Sequence, residues 1–233
     1  MKRISAGRWG LLWLAFNSAA FASTLTIQSQ TFNIEQGGQF SASLNGDADN
    51  QLYIYCVDYR NFVAPPETFD ANISTLPNIG NTRYGTTAAG SFSTAVPNPT
   101  VYSNAANRYL LAGWLTTQYI FGPGQNTGNR DIGIQNAIWT LLDVDGSIHN
   151  HGDESLWLSN AETWESNQTA SQLAAFASHV VVYTSSNVAG VTGSTRYTTG
   201  VQEMIGVVPE PTTFLLFGGG LSALGLIRRR KKQ

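Results

Sequence analysis

The chain has 233 residues, with 13 Lys and Arg against 15 Asp and Glu and a formal net charge of −2. That near-neutral total hides an acidic body: between residues 23 and 207, Arg60, Arg83, Arg108, Arg130 and Arg196 face 14 carboxylates, and the three lysines (Lys2, Lys231, Lys232) all lie outside. A body without a basic footprint excludes nucleic acid as a partner, while its length suffices for one domain with a true core.

In chain order, Lys2, Arg3 and Arg8 precede the apolar stretch 9–16, and Ala20-Phe21-Ala22 forms a small-x-small cleavage site. This is the layout of a secretory signal peptide over residues 1–22, with Ser23 the first mature residue. Residues 24–35 alternate apolar and polar (Leu25, Ile27, Phe32, Ile34), Gly37-Gly38 follow as a turn, and 39–44 repeat the alternation up to the turn Asn45-Gly46-Asp47. Residues 51–59, rich in aromatic and β-branched types, predict a central strand carrying Cys56. Pro65-Pro66 and the Gly-, Thr-, Asn- and Pro-rich segment 74–99 read as loop with one strand near Phe92.

The period then changes. Residues 107–120 place Tyr109, Leu110, Gly113, Trp114, Thr117 and Ile120 at helical spacing, closed by Gly122-Pro123-Gly124. A second helix is expected over 131–142, with Asp131 as N-cap and Ile134, Ile138, Leu141 and Leu142 facing a core. Residues 153–177 continue helical in two pieces around Ser166-Asn167, and 179–184 and 201–208 return to strand. Trp114 and Trp139 fall on apolar helix faces, whereas Trp157 and Trp164 fit either core or surface. Strands at both ends with helices between predict an α+β domain over 23–207. Its expected form is a β-sandwich-like sheet with an inserted helical subdomain at about 104–178.

Residues 208–233 form a separate unit: Val208-Pro209-Glu210-Pro211, an apolar run, then Arg228, Arg229, Arg230, Lys231 and Lys232. The prolines keep the entry to the run extended. The run 212–227 has 16 residues, short of the ~20 that span a bilayer core. Gly218-Gly219-Gly220 weaken its helix by about 1 kcal/mol each relative to alanine, and the terminal cations hold its end on the cytoplasmic side. Such a span is a temporary hold in the membrane rather than an anchor. The three elements in this order resemble the PEP-CTERM sorting signal of Gram-negative bacteria. The resemblance implies a C-terminal sorting helix and, as partner, an exosortase-type membrane protease that cleaves near Pro-Glu-Pro. It also implies transient residence in the inner membrane through 212–227 and delivery to the cell surface, outer membrane or extracellular matrix. Systems of this kind accompany exopolysaccharide production.

Cys56 is the single cysteine, so it makes no internal disulfide. A buried apolar cysteine, an intermolecular disulfide and a thiol kept for chemistry all remain open, and Gln135 alone reads as a solvated helix residue. His149-Asn150-His151-Gly152-Asp153-Glu154 has metal-binding residue types but no third histidine nearby, and Gly152 marks a turn; we read a solvated loop and expect no metal. No Gly-rich phosphate loop precedes a helix, and no cofactor is expected. A Cys–His dyad of Cys56 with His149 or His151 would make a hydrolase, but neither histidine carries a local signature, and no enzyme activity is expected.

Two segments stand out together: Tyr55-Cys56-Val57-Asp58 and Ile134-Gln135-Asn136-Ala137-Ile138-Trp139, with Leu110-Leu111-Ala112-Gly113-Trp114 between. Over about 51–142 this pattern resembles the thioester domains of Gram-positive surface adhesins, in which a strand cysteine pairs with the glutamine of a Thr-Gln-x-Ala-Ile-Trp helix. Ile134 stands where that family has threonine. The resemblance implies a β-sandwich plus helical subdomain, a Cys56–Gln135 thioester, and supporting roles for Asp58 and Trp139. An amide is a poor electrophile, so the two side chains must be held at near-attack distance, with donors at the developing oxyanion. Gln135, read in the first turn of its helix, would find them among unpaired backbone N–H groups. The finished bond would be opened by an amine, and a lysine-free body spares it from its own side chains. Covalent adhesion to an amine- or hydroxyl-bearing surface protein or polysaccharide is therefore the expected function. The alternative is a structural component of exopolysaccharide or biofilm matrix with no thioester.

Overall fold

Antiparallel pairing closes the sheet on itself. The computed structural model describes residues 23–34, 37–59, 61, 63–87, 92, 102, 104–120, 129–143, 152–186 and 201–208. The expected signal peptide over 1–22, the expected sorting helix, and His149 and His151 lie outside the described residues. Six strands, β1 (Ser23–Ile34), β2 (Gly37–Leu44), β3 (Leu52–Cys56), β4 (Glu67–Thr75), β5 (Val180–Ser185) and β6 (Met204–Val207), form a barrel in the order β1-β2-β3-β6-β5-β4. Four helices lie between β4 and β5: α1 (Ala105–Thr116), α2 (Asn129–Leu142), α3 (Glu154–Ser166) and α4 (Ala170–Ala177).

The mixed α+β class and the inserted helices match the expectation; the sandwich-like sheet does not. β1 pairs with β2 along its length and with β4 through residues 23–27, which closes the barrel. Register irregularities between Ile27 and Ser29 and between Gln30 and Phe32 allow so long a strand to bend from one neighbour to the other. Alternation fixes which residues face inward, not which strands pair. β4 escapes the sequence reading because Asp70 and Asn72 interrupt its β-forming residues. Gly37 and Gly38 belong to β2 rather than to a turn, and α2 begins at Asn129, so Asp131 sits inside its first turn instead of capping it. Where capping is visible it follows ordinary chemistry: Asn104 accepts from the Asn107 N–H at the start of α1, and Thr169 with Gln172 forms a capping box on α4. Among the described residues no helix is long and apolar enough to cross a membrane.

The core has two compartments that share strands. Ile54, Cys56, Val181, Tyr183 and Met204 turn into the barrel with Leu25, Ile27, Phe40 and Ala42. Tyr55, Val57, Val180, Val182 and Ile205 turn outward, onto Tyr109, Leu111, Leu115, Ile134, Ile138 and Leu141 of α1 and α2. β5 is therefore buried along its whole length, which accounts for its unbroken Val-Val-Val-Tyr run. Each such aliphatic side chain contributes about 1.5–3 kcal/mol on burial. Trp139 is the exception on α2: it leaves the helical compartment and packs with the barrel residues, and that crossing builds the site.

Candidate functional site at the junction of barrel and helices

Gln135 and Trp139 lie four residues apart on α2, hence on one face. Cys56 ends β3, paired with Met204 and directed into the barrel. The junction brings the three together. The Gln135 Nε2 donates to the Cys56 carbonyl at 2.9 Å, and the Trp139 Nε1–H donates to Cys56 Sγ at 3.3 Å. The thiol in turn donates to the Asp58 carbonyl at 3.4 Å. Cys56 and Gln135 are both 0% exposed and Trp139 2%.

The Gln135 carbonyl oxygen is held by two donors, the Gly38 backbone N–H at 2.8 Å and the Tyr119 hydroxyl at 3.1 Å. Only glycine permits this approach. A Cβ on Gly37 would lie 2.6 Å from Trp139 Cζ2 and 2.8 Å from Gln135 Cδ, and Gly38 has φ of 105°, a region L side chains rarely adopt. Tyr119 follows α1, and its ring stacks on Tyr55 with centroids 5.2 Å apart and planes 1° from parallel. The Tyr55 hydroxyl accepts from Gln39 Nε2 at 2.8 Å. Burial pushes the Tyr119 hydroxyl well above its ordinary pKa, with Tyr55 next in effect, so it stays a donor at physiological pH. Burial also raises the Cys56 thiol, opposed by the Trp139 hydrogen bond, and the resting sulfur is neutral.

The donors differ from those expected. Gln135 is in the second turn of α2, past its unpaired N–H groups, and its oxygen is served from β2 and from beyond α1. Asp58 offers only its backbone carbonyl to Cys56. Its carboxylate meets the Arg83 Nε at 3.0 Å and accepts from Tyr84 at 3.3 Å and from the Asn61 amide. Beside it, Glu203 accepts from the Arg83 backbone N–H at 2.7 Å, from Thr184 at 2.5 Å and from the Tyr109 hydroxyl. Burial pushes the Glu203 carboxyl up to about 7 against those hydrogen bonds. Sequence reasoning misses Gly37, Gly38, Tyr119 and Glu203. For the glycines a signal exists, since Gly inside an alternating run marks close backbone approach as readily as a turn. Among the described residues no three His, Cys, Asp or Glu gather as metal ligands.

Beyond the barrel, the sequence itself matches one known motif, across the junction of body and tail. Residues 207–231 match the PEP-CTERM protein-sorting motif. The match takes in Val208, Pro209, Glu210 and Pro211 and the cations Arg228, Arg229 and Arg230. PEP-CTERM implies export, processing by exosortase, a membrane enzyme, and a surface or extracellular location in Gram-negative bacteria. No curated protein matches the chain. Among solved structures, the N-terminal thioester domain of fibronectin-binding protein SfbI from Streptococcus pyogenes is similar over 81% of this chain and 94% of that one, at 13% identity and a TM-score of 0.38.

Proposed function

We propose that this exosortase-sorted protein is a covalent adhesin of the bacterial surface or matrix, whose 23–207 domain joins Cys56 to Gln135 in an internal thioester. One observation carries the reading: Gln135 is buried with its amide nitrogen on the Cys56 carbonyl and its oxygen on two donors. In bond formation Sγ adds to Gln135 Cδ, the thiol proton passes to the amide nitrogen, and the C–N bond breaks to release ammonia. A partner amine then attacks the same carbon, leaving a stable amide and returning the thiol; a hydroxyl would leave an ester. The absence of lysine between residues 23 and 207 supports a stored amine-reactive bond.

A second reading has its own support. A neutral, fully buried Cys56 and a Gln135 amide hydrogen-bonded through both its nitrogen and its oxygen also suit a passive matrix component. Intact mass of the exported protein, before and after methylamine and beside Cys56→Ala, separates the two. Loss of one ammonia, with methylamine added only when Cys56 is present, is expected; a full and unreactive mass leaves the structural role.

A further inference from the structure

We propose that the Gly38 N–H and the Tyr119 hydroxyl form an oxyanion hole at Gln135, making Tyr119 a catalytic residue in both the making and the opening of the thioester. The inference rests on the covalent reading above and adds the group that drives it. When sulfur adds to Cδ, negative charge gathers on Oε1, the atom these donors already touch at 2.8 and 3.1 Å. The attacking sulfur comes from β3, whereas the donors come from β2 and from the segment after α1, so nucleophile and donors are held by separate elements. Preorganised donors in a water-free site stabilise such an adduct far more than solvent does.

The arrangement also outlives the first step. Departing ammonia takes with it the nitrogen bonded to the Cys56 carbonyl, while the oxygen and both donors remain. The thioester carbonyl therefore stays polarised toward an incoming amine. In that second reaction the amine nitrogen bonds to Cδ, the Cδ–S bond breaks, and the amine proton passes to sulfur. Tyr119 remains protonated throughout, as its burial requires, and the Tyr55 stack fixes its hydroxyl.

The test is Tyr119→Phe in the full exported chain, which keeps the ring stack and deletes one donor. Removing a single oxyanion donor typically slows reaction by about 10²–10³-fold. We expect ammonia release and methylamine capture to slow by that order, and the thioester carbonyl band of ¹³C-glutamine protein to move to higher wavenumber. A variant that opens at the wild-type rate with an unshifted band removes Tyr119 from the chemistry while leaving the thioester standing. Wild-type protein that retains its ammonia overturns both ideas together. Should Tyr119→Phe fail to fold, ring-fluorinated tyrosine in the wild-type chain provides a stronger O–H donor. A band moved to lower wavenumber is then expected, and an unmoved band sinks the proposal.

Discussion

Two buried polar clusters flank the end of β3, and they are built on opposite principles. Around Cys56, the partners Gln135, Trp139, Tyr119 and Gly38 are all neutral. Two residues on, Asp58 pairs with Arg83, and Glu203 ties Arg83, Thr184 and α1 together. A neutral cluster can exchange one group for another without stranding a charge in the interior. A charged one cannot, since losing either partner leaves an ion in low dielectric. On this contrast the charged cluster suits holding the frame, and the neutral cluster suits the exchange of groups that the proposed thioester requires.

The sharpest way to break this contrast is Arg83→Met, which takes the guanidinium from Asp58. A loss of about 3–5 kcal/mol is expected in denaturant unfolding; a loss under 1 kcal/mol would mean the charged cluster is not the frame. Next is pH. The folded Glu203 carboxyl is raised from 4.5 to about 7, so the folded state holds a proton that the unfolded chain has released. Its contribution is complete below the unfolded pKa and disappears as pH rises through about 7, roughly 3 kcal/mol in all. Chemical denaturation at pH 5 and pH 8 reads this, and Glu203→Gln should flatten the profile. An unchanged slope in that variant assigns the titration elsewhere.

Within the neutral cluster, Gln135→Ala leaves two buried donors short of their acceptor and should cost about 1–3 kcal/mol. It should also erase any ammonia deficit and all methylamine capture, and capture surviving in this variant would place the reactive bond at another residue. The smallest effect belongs to Tyr59, 36% exposed and tilted against Trp139 with ring centroids 4.9 Å apart. Tyr59→Ala should change stability by about 1 kcal/mol or less while quickening methylamine capture, and an unaltered rate would show that amines enter by another side.

What was legible in the sequence follows the range of the physics involved. Local pattern places Cys56 on a strand and Gln135 and Trp139 on one face of a helix, but only the resemblance of the two motifs to thioester domains pairs them; spacing alone reads Gln135 as a solvated residue. The inserted helices show in a change of period. Tyr119 gives no such sign: its role depends on where the chain travels after α1, which no local pattern records. Closure of the barrel is equally non-local, resting on β1 meeting both β2 and a strand disguised by Asp70 and Asn72.

Because Cys56 belongs to the barrel and Gln135 to the inserted helices, a bond between them would also be a staple. It would span 79 positions of chain, and a crosslink closing a loop of that size restricts the unfolded ensemble by about 4.5 kcal/mol in the chain-entropy model. Capture of a partner would release that restraint at the moment of attachment. The protein would then grip its target most firmly in the state in which its own two halves are most easily pulled apart, and mechanical load, rather than chemistry, would find the seam.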